Sequence, residues 1–190
     1  MSKNQPTLFF PSAEAWNDWL KENHEASDCM WLKFAKKASG IPSVTPAEAT
    51  EVAMCYGWID GQRKGFDDTY YLNKYTPRRK RSLWSKRNRD IALRLIKENK
   101  MQPAGFKEIE RAKADGRWQK AYDSPSNMKM PKDFIKALKK DKKAYEFYKT
   151  LSKTNTYEIA RRLQTAKKPE TRERRMKKIL EMMKNEKKFY

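Results

Sequence analysis

The spacing of apolar residues changes several times along this chain, and each change marks an element. Ala15, Trp16, Trp19 and Leu20 recur at helical spacing behind Ser12, which predicts a capped helix running to about Asn23. Residues 30–36 alternate loosely and read as a strand. Residues 40–42 form a loop. Thr45-Pro46-Ala47-Glu48 then starts a second helix: Thr45 is the cap, Pro46 takes the first helical position and Glu48 completes a capping box. Ala49, Val52, Ala53 and Tyr56 share one face of it, and Gly57 stands where a left-handed residue is wanted at its end.

Beyond Gly57 the period falls to two. Residues 58–66 and 69–75 flank Asp67-Asp68 and predict a β-hairpin. Strict alternation puts Trp58, Asp60 and Gln62 on one face of its first strand, with Ile59 and Gly61 on the other. Tyr71, Asn73 and Tyr75 share a face of the second, with Tyr70 and Leu72 opposite. A basic loop, 76–83, leads to Ser85, which is placed to cap a helix carrying Ile91, Ala92, Leu95 and Ile96 inward. A further helix spans 103–114 and ends at Gly116. Residues 124–127 read as a linker, and helical periods follow at 131–140, 141–151, 156–165 and 169–187. The expected fold is α+β: a small antiparallel sheet, made of a strand and a β-hairpin, packed by helices over 1–124. An all-helical region, 125–190, follows it.

Composition agrees with a folded chain. Apolar residues are 38% of the 190 and aromatic residues 12%, and each aromatic side chain buries a large area. Two cysteines, Cys29 and Cys55, are too few for a disulfide framework, so reduced thiols are expected, with pairing as the alternative. No signal peptide and no membrane span is visible, which points to the cytoplasm.

Charge changes the picture more. The net charge is +20, yet residues 1–60 hold five Lys/Arg against eight Asp/Glu, or −3, which leaves +23 for the rest. Such asymmetry suits an anionic ligand or nucleic acid; solvated lysine-rich helix faces are the plainer alternative.

Candidate chemistry gathers in residues 55–88. No Walker loop, dinucleotide fingerprint or zinc-spaced Cys/His set occurs, so no cofactor or metal is expected. The single histidine, His24, excludes mechanisms that need two and reads as a helix-end residue. Asp60 occupies a strand position that disfavours aspartate, with an ion pair to Arg78 or Arg79 as its structural role. Arg78 and Arg79 are typed for a bidentate clamp on phosphate or carboxylate. Trp58, Tyr75 and Trp84 are typed for a stacking wall. Ser85, at a helix start, would aim backbone N–H groups at an anion. With Gln62, Asn88 and, from the second basic cluster, Arg172, these residues make up a candidate ligand-binding site. No catalytic residue is assigned.

Cys55-Tyr56-Gly57-Trp58-Ile59-Asp60-Gly61-Gln62, Pro77-Arg78-Arg79, Ser82 with Trp84-Ser85, and Asn88 resemble the YdeI/OmpD-associated, or bacteriocin-protection, family. The likeness extends to Trp16, Trp19-Leu20, Asn23-His24, Trp31-Leu32 and 36–40 upstream. Downstream it takes in Ala104-Gly105, Asp115-Gly116-Arg117-Trp118 and 166–172. The resemblance implies a non-catalytic protein linked to resistance against bacteriocins or cationic antimicrobial peptides; the residues themselves describe an anion-plus-aromatic pocket. Since a chain at +20 repels cationic peptides, such protection would be indirect. Two alternatives stand beside it. One is a nucleic-acid or nucleotide binder using the basic loop and aromatic wall. The other is a small-molecule enzyme with Asp60 as base.

Overall fold

In a computed structural model, residues 6–190 are described. The chain divides into two compact units, residues 1–84 with 88–120 and residues 85–87 with 121–190. Chain order in the first unit is β1 (Thr7–Phe9), α1 (Ala13–Asn23), β2 (Met30–Ala35), a 3-10 turn (Lys37–Ser39), α2 (Pro46–Cys55), β3 (Trp58–Gly65) and β4 (Tyr70–Pro77). Helix α3 (Lys86–Lys97) follows, and then α4 (Pro103–Ala114). The second unit holds α5 (Lys132–Leu138), α6 (Lys142–Lys149), α7 (Lys153–Gln164) and α8 (Pro169–Lys184). The fold is α+β with a helical C-terminal region.

The four strands form one sheet in the order β1-β2-β4-β3. β2 and β3 both pair antiparallel with β4, whereas β1 pairs parallel with β2. The sheet is therefore mixed, with one strand more than the expected three. Three residues are too few to show a period, so β1 left no pattern to read.

Local chemistry sets the helix ends. Ser12 accepts from the Ala15 N–H, and Thr45 and Glu48 close a complete capping box. Gly57 has φ +73°, the left-handed conformation that ends α2. Helix α7 starts at Lys153, ahead of the expected residue 156, because Ser152 accepts from Asn155 N–H and caps it there.

Residues directly opposite in the ladder share a face. Met30, Leu32 and Phe34 of β2, Tyr75 of β4 and Trp58 of β3 are all buried on one face of the sheet. Trp16, on the buried stripe of α1, meets both Trp58 and Tyr75 edge-on, with centroids 6.4 and 5.8 Å apart. Such ring pairs add about 0.5–1.5 kcal/mol each beyond the area they bury. The indole N–H groups of Trp16 and Trp58 are satisfied: Trp16 donates to Ala49 O and Trp58 to His24 O, each at 3.1 Å.

The strict alternation expected for β3 does not run its full length. Asp60 pairs with Tyr75 but Arg63 with Asn73, so a bulge inserts one residue between them. Gly61 stands in the bulge, where a strand glycine commonly sits. Gln62 is therefore not held to the face of Trp58 and Asp60.

Phe134, Leu138, Ile159, Leu163, Ile179 and Met183 make the core of the second unit. Asn155 is buried and accepts from the Phe189 and Tyr190 N–H groups at 3.0 and 3.3 Å, which ties down the C-terminal residues. No helix among the described residues is long and apolar enough to cross a membrane.

Candidate functional site

Close packing of two turns builds a partly polar cleft in the first unit. At Gly105, in the first turns of α4, an added Cβ would stand 2.4 Å from Cys55 O and from Met101 Sδ. At Gly57 an added Cβ would stand 2.9 Å from Ala104 O. The end of α2 and the start of α4 thus approach closer than any larger residue allows. Arg78 follows β4, and its N–H donates to Gly57 O at 2.9 Å, which fixes it beside this junction.

The resulting cleft of about 580 Å³ is bordered by Lys21, His24, Gly57, Trp58, Arg78 and the α4 residues Ala104, Lys107, Glu108 and Arg111. Arg78 is buried, with its guanidinium 3.7 Å from the Trp84 ring and its Nη1 donating to Leu83 O at 3.4 Å. Arg111 Nη2 donates to Arg78 O at 3.2 Å and also to Glu108 Oε2. Arg111 Nε is buried with no hydrogen-bond partner. His24 ends α1 with Nδ1 2.9 Å from Leu20 O, and its ring lies 5.1 Å from that of Tyr56.

Burial pushes the Glu108 carboxyl above the usual carboxylate range, although Arg111, Arg78 and Arg117 all pull it down. Desolvation therefore outweighs three guanidiniums at this carboxyl. Arg117, also buried, is held by Asp115 at 2.6 Å and donates to Ser82 O at 2.6 Å, which pins the basic loop from below.

The candidate residues read from the sequence separate into several places. Trp58 and Arg78 border the cleft. Trp58 and Tyr75 are core residues beside Trp16, while Trp84 packs against Trp118 at 4.9 Å and under Arg78. The three rings thus serve two packing clusters. Burial pushes the Tyr75 hydroxyl up to about 12. Asp60 and Gln62 are exposed on β3, and Arg79 is exposed in the loop, with its N–H donating to Ser82 Oγ at 3.0 Å. Asn88 lies in the first turns of α3. Ser85 and Arg172 belong to the second unit. There Ser85 bridges Tyr122, and Arg172 pairs with Asp133 at 2.7 Å, lowering that carboxyl. Lys107, Glu108 and Arg111 were not singled out from sequence, since their spacing on α4 reads as an ordinary charged helix face.

Residues 8–108 match the family model of a domain of unknown function, DUF8412. Residues 127–186 match the model described as bacteriocin-protection, YdeI or OmpD-associated. The first match covers the sheet from its second residue onward and most of the cleft lining, and the second covers α5 to α8. No curated protein and no solved structure matches the chain.

Proposed function

This chain belongs to the DUF8412 domain family through residues 8–108 and carries a bacteriocin-protection, YdeI or OmpD-associated segment at 127–186; from that premise we propose that its first unit is a non-catalytic binding module that takes a small oxyanion in the cleft between Arg78 and Arg111. The observation that carries the reading is Glu108. Its carboxyl is raised by burial while three guanidiniums surround it. A site with that balance holds more positive charge than its own carboxylate neutralises. Arg111 Nε offers a buried donor for an incoming acceptor. The start of α4 adds to the field, because its first turn has no acidic residue and Gln102 makes no side-chain cap. Any protective role then runs through an anionic ligand, in keeping with a chain of net charge +20.

Sulfate is the probe that tests this, since its charge is constant over the working range. Glu108 competes with the anion only when ionised. Affinity measured by calorimetry should therefore rise as pH falls through the raised Glu108 value. Glu108→Gln should bind more tightly at about pH 7 and lose that pH dependence. Arg111→Gln should weaken binding by about ten-fold or more, the cost of a lost charge-assisted hydrogen bond. Lys21 on α1, His24 and Glu25 just beyond its end, and Lys107 on α4 border the same cleft. A His24→Asn variant therefore separates the imidazole from Glu108. Sulfate binding that ignores Arg111→Gln would sink the proposal.

A further inference from the structure

The face of the sheet opposite the buried one carries a different pattern. Ladder pairing assigns Phe9 of β1, Trp31 and Lys33 of β2, Tyr70, Leu72 and Lys74 of β4, and Lys64 of β3 to that face. The bulge after Asp60 is what brings Lys64 there, since it sits opposite Leu72 only after the inserted residue. Rings and ammonium groups interleave across it. Lys64 Nζ lies 4.3 Å and Lys74 Nζ 5.7 Å from the Trp31 ring centroid. Lys33 Nζ lies 4.1 Å from Tyr70 and 4.7 Å from Phe66, at the hairpin tip. Phe9 meets Tyr70 edge-on at 5.9 Å. Phe66 is 53% exposed and Phe9 36% exposed, so two of these rings present surface to solvent.

We propose that this sheet face binds single-stranded nucleic acid, with bases stacking on the Phe66, Tyr70 and Phe9 rings and Lys33, Lys64 and Lys74 taking the phosphates. Aromatic rings accept any base through its π-face, and nearby cations follow the backbone. A sheet whose helices lie on its other side leaves strand-borne rings in a plane where successive bases can splay. The lysines already lie over the rings as cations on π-faces. An incoming base takes the ring, and the displaced ammonium, on its flexible stem, moves to the phosphate. Charge selects the occupant: three lysines, and among the residues assigned to this face no carboxylate, in a chain of +20. Stacking selects a single strand over a duplex, whose bases are already paired. This face shares no residue with the oxyanion cleft and stands or falls apart from it.

Fluorescence anisotropy with a short labelled single-stranded oligonucleotide, run on the full chain at several salt concentrations, tests the proposal. Binding should weaken with salt at a log–log slope of about −2, which three phosphate contacts predict for a single strand. Phe66→Ala, at an exposed position, should lower affinity roughly ten-fold by removing one stacking ring. Phe66→Trp should restore it. Lys64→Gln with Lys74→Gln should flatten the salt slope by about 1.4. Arg111→Gln, in the cleft, should leave oligonucleotide binding unchanged. Three results would overturn the idea: no binding at low salt, equal affinity for a matched duplex or for heparin, or a Phe66→Ala variant indistinguishable from the parent. Sensitivity to Arg111→Gln instead of Phe66→Ala would also overturn it, by moving the nucleotide to the cleft.

Discussion

Cys55 and Cys29 show how one residue's surroundings decide its chemistry. Both are free thiols, Cys55 buried and Cys29 partly exposed. Burial, and then the Glu51 carboxylate, push the Cys55 thiol up to about 11. Only the thiolate reacts rapidly. At about pH 8, iodoacetamide should therefore modify Cys29 and spare Cys55 until the chain unfolds, and peptide mass spectrometry reads both sites. The same shift has a stability consequence. A thiol held protonated in the fold releases its proton sooner in the unfolded chain. Its contribution is complete below the unfolded value and is lost as pH rises to about 11, with Tyr75 following to about 12. Denaturant midpoints should fall across that window, and Cys55→Ala should remove the earlier part of the fall. Equal labelling of both cysteines in the native protein would contradict the burial on which this rests.

At the scale of elements, the junction of α2 with α4 controls the cleft. Gly105→Ala improves helix propensity by up to about 1 kcal/mol, but it drives a methyl group onto Cys55 O, a backbone atom that cannot swing aside. Overpacking of that kind costs about 1–3 kcal/mol, so the sum is a loss. Thermal unfolding should show it, and sulfate affinity should fall as the α4 residues Lys107, Glu108 and Arg111 shift. Gly116→Ala is the comparison. It has the same positive φ as Gly57, but no atom lies within 4 Å of its added Cβ, so it should cost backbone strain alone and leave the cleft intact. These two glycines mark what the sequence makes legible. Gly57 followed a helical period and preceded a strand period, so its role could be read locally, as could the Thr45 cap and the hairpin. Gly105 lies inside a helix, and only its long-range contact with Cys55 O explains it. The cleft was hidden for the same reason. Arg78 was visible in a basic loop, but its partners Glu108 and Arg111 are some thirty residues on, at ordinary helical charge spacing. Trp58, Tyr75 and Trp84 read as a wall because sequence shows aromatic density, whereas burial is decided by what packs on each ring. Gln62 was placed by an alternation that holds from Trp58 to Asp60 and that the bulge at Gly61 interrupts.

Across the whole molecule, charge and unit boundaries combine into one expectation. Residues 121–190 hold 21 Lys/Arg against nine Asp/Glu, so they carry +12 of the net +20 in little over a third of the chain. Their core rests on a modest set of side chains, Phe134, Leu138, Ile159, Leu163, Ile179 and Met183. Five of the nine acidic residues there are already engaged: Asp123 with Lys86, Asp133 with Arg172, Glu158 with Arg161 and Arg162, Glu146 with Lys149, and Glu186 with Lys143. Apart from those of Glu158, which is buried, these are exposed pairs worth about 0–1 kcal/mol each, and salt weakens them little more than it weakens the like-charge repulsion among the remaining lysines. Repulsion is the larger sum, so added salt should stabilise the helical unit, with the Debye length shrinking to about 8 Å at physiological ionic strength. We expect a domain boundary near 120–125 and two calorimetric transitions at low salt, the lower one belonging to the helical unit. Sodium chloride should raise the lower transition toward the upper. Leu163→Ala, a cavity costing about 2–5 kcal/mol, should lower that transition and leave the other in place. A single transition that Leu163→Ala moves as a whole would mean that the two units unfold as one cooperative body. A lower transition that falls with salt would mean that the ion pairs outweigh the repulsion.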